Sequence, residues 1–300
     1  MIIYLAGMES ILTSYTTFDL KKDDSIFCTF FYRAKTDKML DLLGEAGHKG
    51  IVTVDSGAHS FFGYTGSPSA SHQQQKADSS KMPDPEEYLE RYILWLKQNW
   101  NRFTYFVELD IQSILGLDKI KSWRERLREE GLFSKCITVY HSCDTWEDYV
   151  EMIETTESGY VGLEGVRNRI IHIPYIRCLK LAYEKGVKVH GFALTSMNIV
   201  KKYPFYSVDS TTWTSTVRYG SFISLDKQGM LVQKTPTKKN YLDNRMNLDL
   251  LSVKKGKESS VKKLNHSAEQ FRLFEKTVTN MWISRGVDWY GKGLCRNTSV

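Results

Sequence analysis

The chain has 300 residues, of which 41% are hydrophobic and 13% aromatic, and it carries a formal net charge of +6 at pH 7. This composition is enough for a large buried core and excludes a chain that is disordered throughout. No apolar run approaches the ~20 residues needed to cross a bilayer, so we expect no membrane partner. The N-terminal stretch lacks a basic region ahead of its apolar residues and indicates a first strand, not a signal peptide.

Cysteine usage bears on the compartment and on metal binding. The five cysteines form no Cys-x-x-Cys pair, and they are Cys28, Cys136, Cys143, Cys178 and Cys295. An odd number of scattered cysteines in a chain of this length favours reduced thiols and a cytoplasmic location. A closed, cysteine-rich zinc site is not expected.

Eight short β-prone segments recur along the chain. They lie at about 2–6, 26–31, 51–55, 104–110, 136–141, 160–163, 187–194 and 205–209. Most are continuous apolar runs, which is typical of parallel strands that are buried on both faces.

Helical patterns fall between these segments. They cover about 37–46, 85–100, 117–130, 144–155, 173–185 and 195–202. Asp84 is a good N-cap, with Pro85 at the first helical position. Asp144 followed by Glu147 has the spacing of a capping box.

The repeated alternation of strand and helix predicts the fold. It indicates an α/β protein, a (β/α)8 TIM barrel that forms a single domain over residues 1–300. A doubly wound open sheet is the alternative. That fold needs a Gly-rich first turn, which Gly7-Met8-Glu9 does not provide.

Two segments depart from the alternation. Residues 63–84 are turn-rich and polar, and they form either a lid over the site or an insertion without a role. After the eighth strand we expect a β-hairpin at 221–233, a basic insertion over 225–264, and an amphipathic helix at about 267–285 that closes the barrel. The basic insertion holds ten Lys or Arg and four Asp or Glu residues, so it carries the whole net charge. It is either a site for an anionic partner or a solvated loop.

Catalytic groups of such a barrel lie at the carboxyl ends of the strands. The polar residues expected there are Asp55, Ser56, His59, Glu108, Asp110, Gln112, His141, Ser142, Glu164, His190, Thr195, Asp209 and Ser210. In–out alternation predicts that Glu108 and Asp110 share one side of their strand. Unpaired buried carboxylates are costly, so their convergence indicates a site. Asp55 and Asp209 are suited to double displacement at an anomeric carbon.

Five stretches, in order, resemble the motifs of the tRNA-guanine transglycosylases, a family of barrel enzymes. Val54-Asp55-Ser56-Gly57 resembles the start of the family's Asp-Ser-Gly-Gly-Phe-Gln motif, and Phe205-Tyr206-Ser207-Val208-Asp209-Ser210 resembles the strand that carries its nucleophile. The other three stretches are 106–110, 161–165 and 189–193. Arg218-Tyr219-Gly220 and the hairpin after it also look like family features.

The chain departs from the family in several places. The Cys-x-Cys-x-x-Cys…His zinc site that follows the hairpin in the tRNA enzymes has no counterpart here, and lysines stand in its place. Ala58 and His59 replace Gly-Phe, Ser60 stands where Gln is expected, and His141 stands about where the family has a glutamine that binds the base. The compact chain without a zinc motif resembles the phage and bacterial DNA-guanine transglycosylases, which insert 7-deazaguanines into DNA.

The resemblance implies roles for individual residues. Asp209 is expected to be the nucleophile and Asp55 the general acid and base. The residues expected to bind the base are Ser56, Gly57, Asp110, His141, Gly162, Leu163, Gly191 and Phe192. The residues expected to bind nucleic acid are Arg218, Lys238, Lys239, Arg245, Lys254 and Lys255.

The same resemblance implies the partners. They are DNA, with tRNA the less favoured polynucleotide, and a free deazaguanine base such as preQ0 as co-substrate. No cofactor and no metal are expected. A helper protein or a homodimer is compatible with the sequence, and the expected location is the cytoplasm of a bacterium or of a phage-infected host. Three alternatives stay open: the same exchange on tRNA, a non-catalytic nucleic-acid-binding paralogue, and a retaining glycosidase using Glu108 or Glu164 with Asp209.

Overall fold

The structure is a computed structural model that describes residues 1–58, 84–165, 173–194, 197–235 and 256–289. Nearly all of the predicted loop at 63–84 lies outside these ranges. So do several predicted site residues, namely His59, Thr195, Lys238, Lys239, Arg245, Lys254 and Lys255.

Eight parallel strands close into a barrel in the order of the chain. They are β1 (Ile2–Ala6), β2 (Ile26–Thr29), β3 (Val52–Asp55), β4 (Tyr105–Val107), β5 (Cys136–Tyr140), β6 (Tyr160–Leu163), β7 (Lys188–Gly191) and β8 (Ser207–Ser210). The barrel closes where β1 pairs with β8, in a register that sets Tyr4 beside Asp209. The predicted α/β fold, a (β/α)8 TIM barrel, is confirmed.

Three strands end two or more residues before the ends of the apolar runs that predicted them. After β2, Phe30–Tyr32 turn into a 3-10 helix, and the Thr29 hydroxyl accepts a hydrogen bond from the Phe31 N–H. The fourth and seventh strands stop at Val107 and Gly191, before the predicted ends at 110 and 194. Their last predicted residues therefore belong to the loops around the mouth of the barrel.

Ten α-helices lie within the described residues. They are α1 (Met8–Ser14), α2 (Arg33–Glu45), α3 (Pro85–Gln98), α4 (Gln112–Leu115), α5 (Leu117–Glu129), α6 (Trp146–Thr155), α7 (Tyr175–Glu184), α8 (Met197–Lys202), α9 (Ser215–Tyr219) and α10 (Lys257–Ser284). The short helices α1, α4 and α9 were not predicted from the sequence. No helix among the described residues is long and apolar enough to cross a membrane.

The helix caps agree with the prediction in one case and differ in another. Asp84 caps α3 as expected, because its carboxylate accepts a hydrogen bond from the Glu86 N–H. The predicted capping box of Asp144 and Glu147 is wrong. The cap of α6 is Thr145, paired with Asp148 in a reciprocal capping box. Asp144 instead accepts hydrogen bonds from the His141 backbone and from Gln112, so it orders the loop after β5.

The C-terminal part has a hairpin followed by one long helix. β9 (Phe222–Leu225) and β10 (Leu231–Lys234) pair antiparallel, as predicted. The helix α10 begins ten residues before the predicted start at 267, because its buried stripe continues upstream through Leu264 and Val261. Part of the predicted basic insertion is therefore helical.

The long helix α10 packs against the first strand. Its Glu275 carboxylate accepts a hydrogen bond from the Ile3 N–H of β1. Arg272 of α10 donates two hydrogen bonds to Asp24, just before β2. The helix is thereby fixed to the first strand and to the segment that leads into the second.

Candidate active site

Asp209 lies in β8, and one of its carboxylate oxygens is held in place. Oδ1 accepts a hydrogen bond of 2.6 Å from the Ala193 N–H and lies 3.4 Å from Nε2 of His190. No donor among the described residues reaches Oδ2. The side chain is 13% exposed, so the second oxygen of the carboxylate can face a ligand at the mouth of the barrel.

Ala193 makes its contact with Asp209 at a conformational cost. Its φ of 51° makes it the one non-glycine residue with a positive φ in the described ranges. Such a conformation is strained for a residue with a Cβ, and strained residues cluster at functional sites. In this backbone conformation the Ala193 N–H points toward the carboxylate of Asp209.

Asp55 ends β3, and glycine two residues later fixes its orientation. Its Oδ2 accepts a hydrogen bond of 3.0 Å from the Gly57 N–H. Gly57 has a φ of 83°, and a Cβ at this position would lie 2.6 Å from Cβ of Phe31. Only glycine fits both the backbone conformation and the space.

The environment of Asp55 favours its protonated form. Burial is the largest cause that raises the pKa of Asp55, to about 7, and the charges of Asp110, Asp209 and Glu9 add to it. The hydrogen bond from Gly57 acts in the opposite direction and is outweighed. Asp55 therefore holds a proton close to neutral pH, as a general acid requires.

A second group of charged residues surrounds His141. Its Nε2 contacts Oδ1 of Asp110, and its Nδ1 lies 3.4 Å from Oε2 of Glu164. Glu164 also accepts hydrogen bonds from the backbone N–H and the hydroxyl of Ser142. The imidazole thus lies between two carboxylates from the ends of the fourth and sixth strands.

The two carboxylates keep His141 protonated. Burial lowers its pKa, but the charge and hydrogen bond of Asp110, with those of Glu164, outweigh burial and raise the pKa to about 11. Both ring nitrogens then carry protons, and both are already directed at carboxylates. His141 therefore orients Asp110, whose second oxygen has no hydrogen-bond partner among the described residues.

The side chain of Glu108 does not point into the mouth of the barrel, contrary to the prediction. Its two oxygens accept hydrogen bonds of 2.7 Å each from Arg124 of α5, and Oε1 also accepts one from the Val139 N–H. The expected alternation with Asp110 fails because β4 ends at Val107. Glu108 faces the helix layer, where it forms a buried ion pair.

Packing requirements explain the identity of several residues that were predicted to bind the base. A Cβ on Gly162 would lie 2.2 Å from the ring of Phe192, and one on Gly191 would lie 2.8 Å from Leu194. Leu163 is fully buried, and its carbonyl accepts a hydrogen bond from the Phe192 N–H. Base binding by these residues stays a prediction.

Two other predicted site residues have clear positions. Ser56 is fully buried, and its hydroxyl has no hydrogen-bond partner among the described residues, while its carbonyl accepts a hydrogen bond from Tyr88 of α3. Arg218 lies exposed on α9, which follows β8 at the mouth of the barrel.

Sequence reasoning missed Glu9, in the first turn of α1. It is 3% exposed, and burial is the main cause that raises its pKa to about 7. Oε2 of Glu9 has no hydrogen-bond partner in the described part of the chain. The sequence did contain a signal, because Glu9 is the third residue after the first strand and lies between the apolar Met8 and Ile11.

The site thus combines two carboxyl groups of different character. The pKa of Asp55 is raised to about 7, whereas Asp209 has one oxygen held by the Ala193 N–H and another that no described residue engages. Such a pair suits nucleophilic attack by one group and proton transfer by the other. In the described ranges no group of three or more His, Cys, Asp or Glu residues is placed to hold a metal ion; a metal-independent reaction stays a prediction.

Comparisons with models of protein families, with curated proteins and with solved structures find no match for this chain.

Proposed function

We propose that the protein is a DNA-guanine transglycosylase, which exchanges guanine in DNA for a free 7-deazaguanine such as preQ0. One observation carries the proposal: Asp55, with a pKa of about 7, feels the charge of Asp209 across the mouth of the barrel. Double displacement at an anomeric carbon needs a nucleophilic carboxylate and a protonated carboxyl group of this kind.

The first half of the reaction releases guanine. A guanosine leaves the base stack so that its C1′ reaches the site. Oδ2 of Asp209 forms a bond to C1′ while the bond from C1′ to N9 breaks. The electron pair of that bond stays on the guanine, which takes the proton of Asp55 as it leaves.

The second half inserts the new base. The Asp55 carboxylate removes the N9 proton of the incoming deazaguanine, and N9 then attacks C1′. The bond between C1′ and Oδ2 breaks, and its electron pair returns to Asp209. Asp55 ends with its proton and Asp209 as a carboxylate, so the site is ready for another cycle.

The charged group around His141 supports recognition of a guanine-like base. Guanine and its 7-deaza analogues present N–H donors at N1 and at the exocyclic amine. A carboxylate oxygen fits these donors, and Asp110 has one that no described residue engages. His141 fixes the other oxygen of Asp110, so the carboxylate is already oriented when the base arrives.

Two observations bear on the alternatives. The retaining glycosidase alternative that uses Glu108 is disfavoured, because both carboxylate oxygens of Glu108 accept hydrogen bonds from Arg124. DNA is favoured over tRNA by the lysine-rich segment that replaces the zinc motif of the tRNA enzymes. Binding through those lysines should weaken steeply with salt.

The experiment that tests this proposal is mass spectrometry of nucleosides. Guanine-containing DNA and tRNA are incubated separately with preQ0 and the wild-type protein, then digested. We expect a 7-deazaguanine nucleoside from DNA only, and none when Asp209→Ala replaces the wild type. Modification of tRNA alone would overturn the choice of polynucleotide. Full activity of the Asp209→Ala variant would overturn the mechanism.

A further inference from the structure

His190 is a fully buried polar side chain in β7, at the centre of the barrel. Its ring stacks on Phe27, with ring centroids 5.4 Å apart and an interplanar angle of 7°, and meets Phe192 edge-on at 4.5 Å. Tyr4 contacts it edge-on at 5.7 Å. Aromatic contacts on several sides fix the plane of the imidazole, so its two nitrogens point in set directions.

A chain of buried hydroxyl groups contacts one of the two nitrogens and is linked to the position of the ring proton. Nδ1 of His190 lies 2.7 Å from the Ser207 hydroxyl, which also contacts the Tyr160 hydroxyl. All three residues are fully buried. When Tyr160 donates to Ser207, Ser207 donates to Nδ1, and the ring proton is on Nε2.

Nε2 of His190 faces the carboxylate of Asp209. It lies 3.4 Å from Oδ1, and no described residue forms a hydrogen bond with it. The Ala193 N–H approaches the same oxygen from the loop after β7. The Ala193 N–H and the His190 ring thus both approach Oδ1, and no described residue donates to Oδ2. Catalytic hydrogen bonds are often long in the free enzyme and tighten in the reacting complex.

We propose that His190 is a positioning residue: held by Ser207 and Tyr160, it directs its Nε2–H at Oδ1 of Asp209 and so presents Oδ2 to C1′. The inference rests on the proposed role of Asp209 as the nucleophile and adds a residue to which no role in the reaction has yet been given.

The chemistry predicts which half-reaction depends most on His190. In the glycosyl-aspartate, Oδ2 is bonded to C1′ and Oδ1 is the ester carbonyl oxygen. When the incoming base attacks, the bond from C1′ to Oδ2 breaks and its electron pair spreads over both oxygens. A donor at Oδ1 stabilises this developing charge. Loss of His190 should therefore slow release of the intermediate more than its formation.

Three variants test this proposal. His190→Phe keeps an aromatic ring but has no donor, and His190→Gln places an amide N–H near the position of Nε2. Ser207→Ala leaves the ring and removes the hydroxyl that sets its tautomer. It also provides a second test if His190→Phe fails to fold. Thermal unfolding of each variant checks that the barrel is intact.

The activity readouts are exchange of labelled guanine into DNA and the amount of covalent protein–DNA adduct on a denaturing gel. We expect His190→Phe to lower kcat about 100-fold, with KM for DNA within about threefold and with more adduct than the wild type. The kcat of His190→Gln should be about tenfold higher than that of His190→Phe. Ser207→Ala should lower kcat about tenfold relative to the wild type. Exchange by folded His190→Phe within threefold of wild type, or no recovery with Gln, would overturn the proposal.

A second measurement does not need activity. In nitrogen-15 NMR spectra of histidine-labelled protein, we expect the ring proton of His190 on Nε2 and a change of this signal in Asp209→Asn. A proton on Nδ1 alone, or no response to Asp209→Asn, would overturn the proposal. A wild-type protein with the expected signals but without base exchange would overturn the proposed function and leave the contact between His190 and Asp209 standing.

Discussion

Asp55 at the end of β3 and Asp209 in β8 are electrostatically coupled across the mouth of the barrel. Burial is the largest cause of the raised pKa of Asp55, and the negative charges of Asp110 and Asp209 raise it further, to about 7. Burial and these charges together let Asp55 hold its proton to a higher pH than a free carboxyl group does.

The first prediction concerns pH. The rate of covalent adduct formation on DNA should fall as pH rises through about 7, because Asp55 loses the proton that the leaving guanine needs. Asp55→Asn should slow the step about 100-fold or more and remove this pH dependence. His141→Gln is the matched control and should keep it, since the pKa of His141 is about 11. Retention of the pH dependence in Asp55→Asn would assign it to another group.

The second prediction concerns stability. The pKa of Asp55 is raised in the folded protein, so the folded state binds the proton more tightly than the unfolded chain. The stabilisation is complete below about pH 4 and is lost as pH rises through about 7. Asp55→Asn cannot ionise and should therefore gain in Tm over the wild type between pH 4 and 8, by a few degrees (about 2 to 5 °C).

Calorimetry at pH 4 and pH 8 measures this difference. Glu9→Gln should behave in the same way, because burial also raises the pKa of Glu9 to about 7. Asn101→Gln, at an exposed position before β4, changes no ionisable group and is the control, so its difference in Tm from the wild type should be the same at both pH values. A gain in Asp55→Asn that is equal at both pH values would contradict the raised pKa.

The third prediction concerns Glu108, which pairs with Arg124 outside the candidate site. Arg124→Met leaves the buried Glu108 carboxylate without its bidentate partner and should lower the free energy of unfolding by about 3 kcal/mol or more. Lys97→Met removes an exposed ion pair with Glu130 and should change the free energy of unfolding much less, because solvent screens exposed ion pairs. Urea denaturation measures both. At a temperature where Arg124→Met is folded, its rate of base exchange should stay within about threefold of wild type. A much larger loss would indicate that Glu108 takes part in the reaction.

The fourth prediction concerns Gly57, which holds Asp55 in place. Gly57→Ala places a Cβ 2.6 Å from Cβ of Phe31 at a positive φ, so we expect a loss of about 1 to 3 kcal/mol in stability together with slower exchange. Gly44→Ala is the control, because Gly44 lies in α2 with open space around it. It should stabilise the protein by about 0.5 to 1 kcal/mol. A Gly57→Ala variant as stable as Gly44→Ala would contradict the description of this turn.

The sequence predicted the barrel because its strands are continuous apolar runs separated by helical patterns. Asp55 and Asp209 could be located because each directly ends such a run. The surroundings of Glu108 could not be predicted, since alternation applies only while the strand continues, and β4 ends at Val107. The contact of His190 with Ser207 and Asp209 depends on the register between β7 and β8, where His190 pairs with Ser207. That register is a tertiary property which no local pattern contains.

The most direct test of the central claim is to locate the covalent intermediate. A guanine-containing DNA oligonucleotide is mixed with the protein without a free base, and the reaction is denatured and digested. Peptide mass spectrometry then identifies the residue that carries deoxyribose. The account predicts deoxyribose on Asp209 and none in Asp209→Asn. An adduct on Glu164 or Asp110, or guanine release by wild type without an adduct, would contradict it.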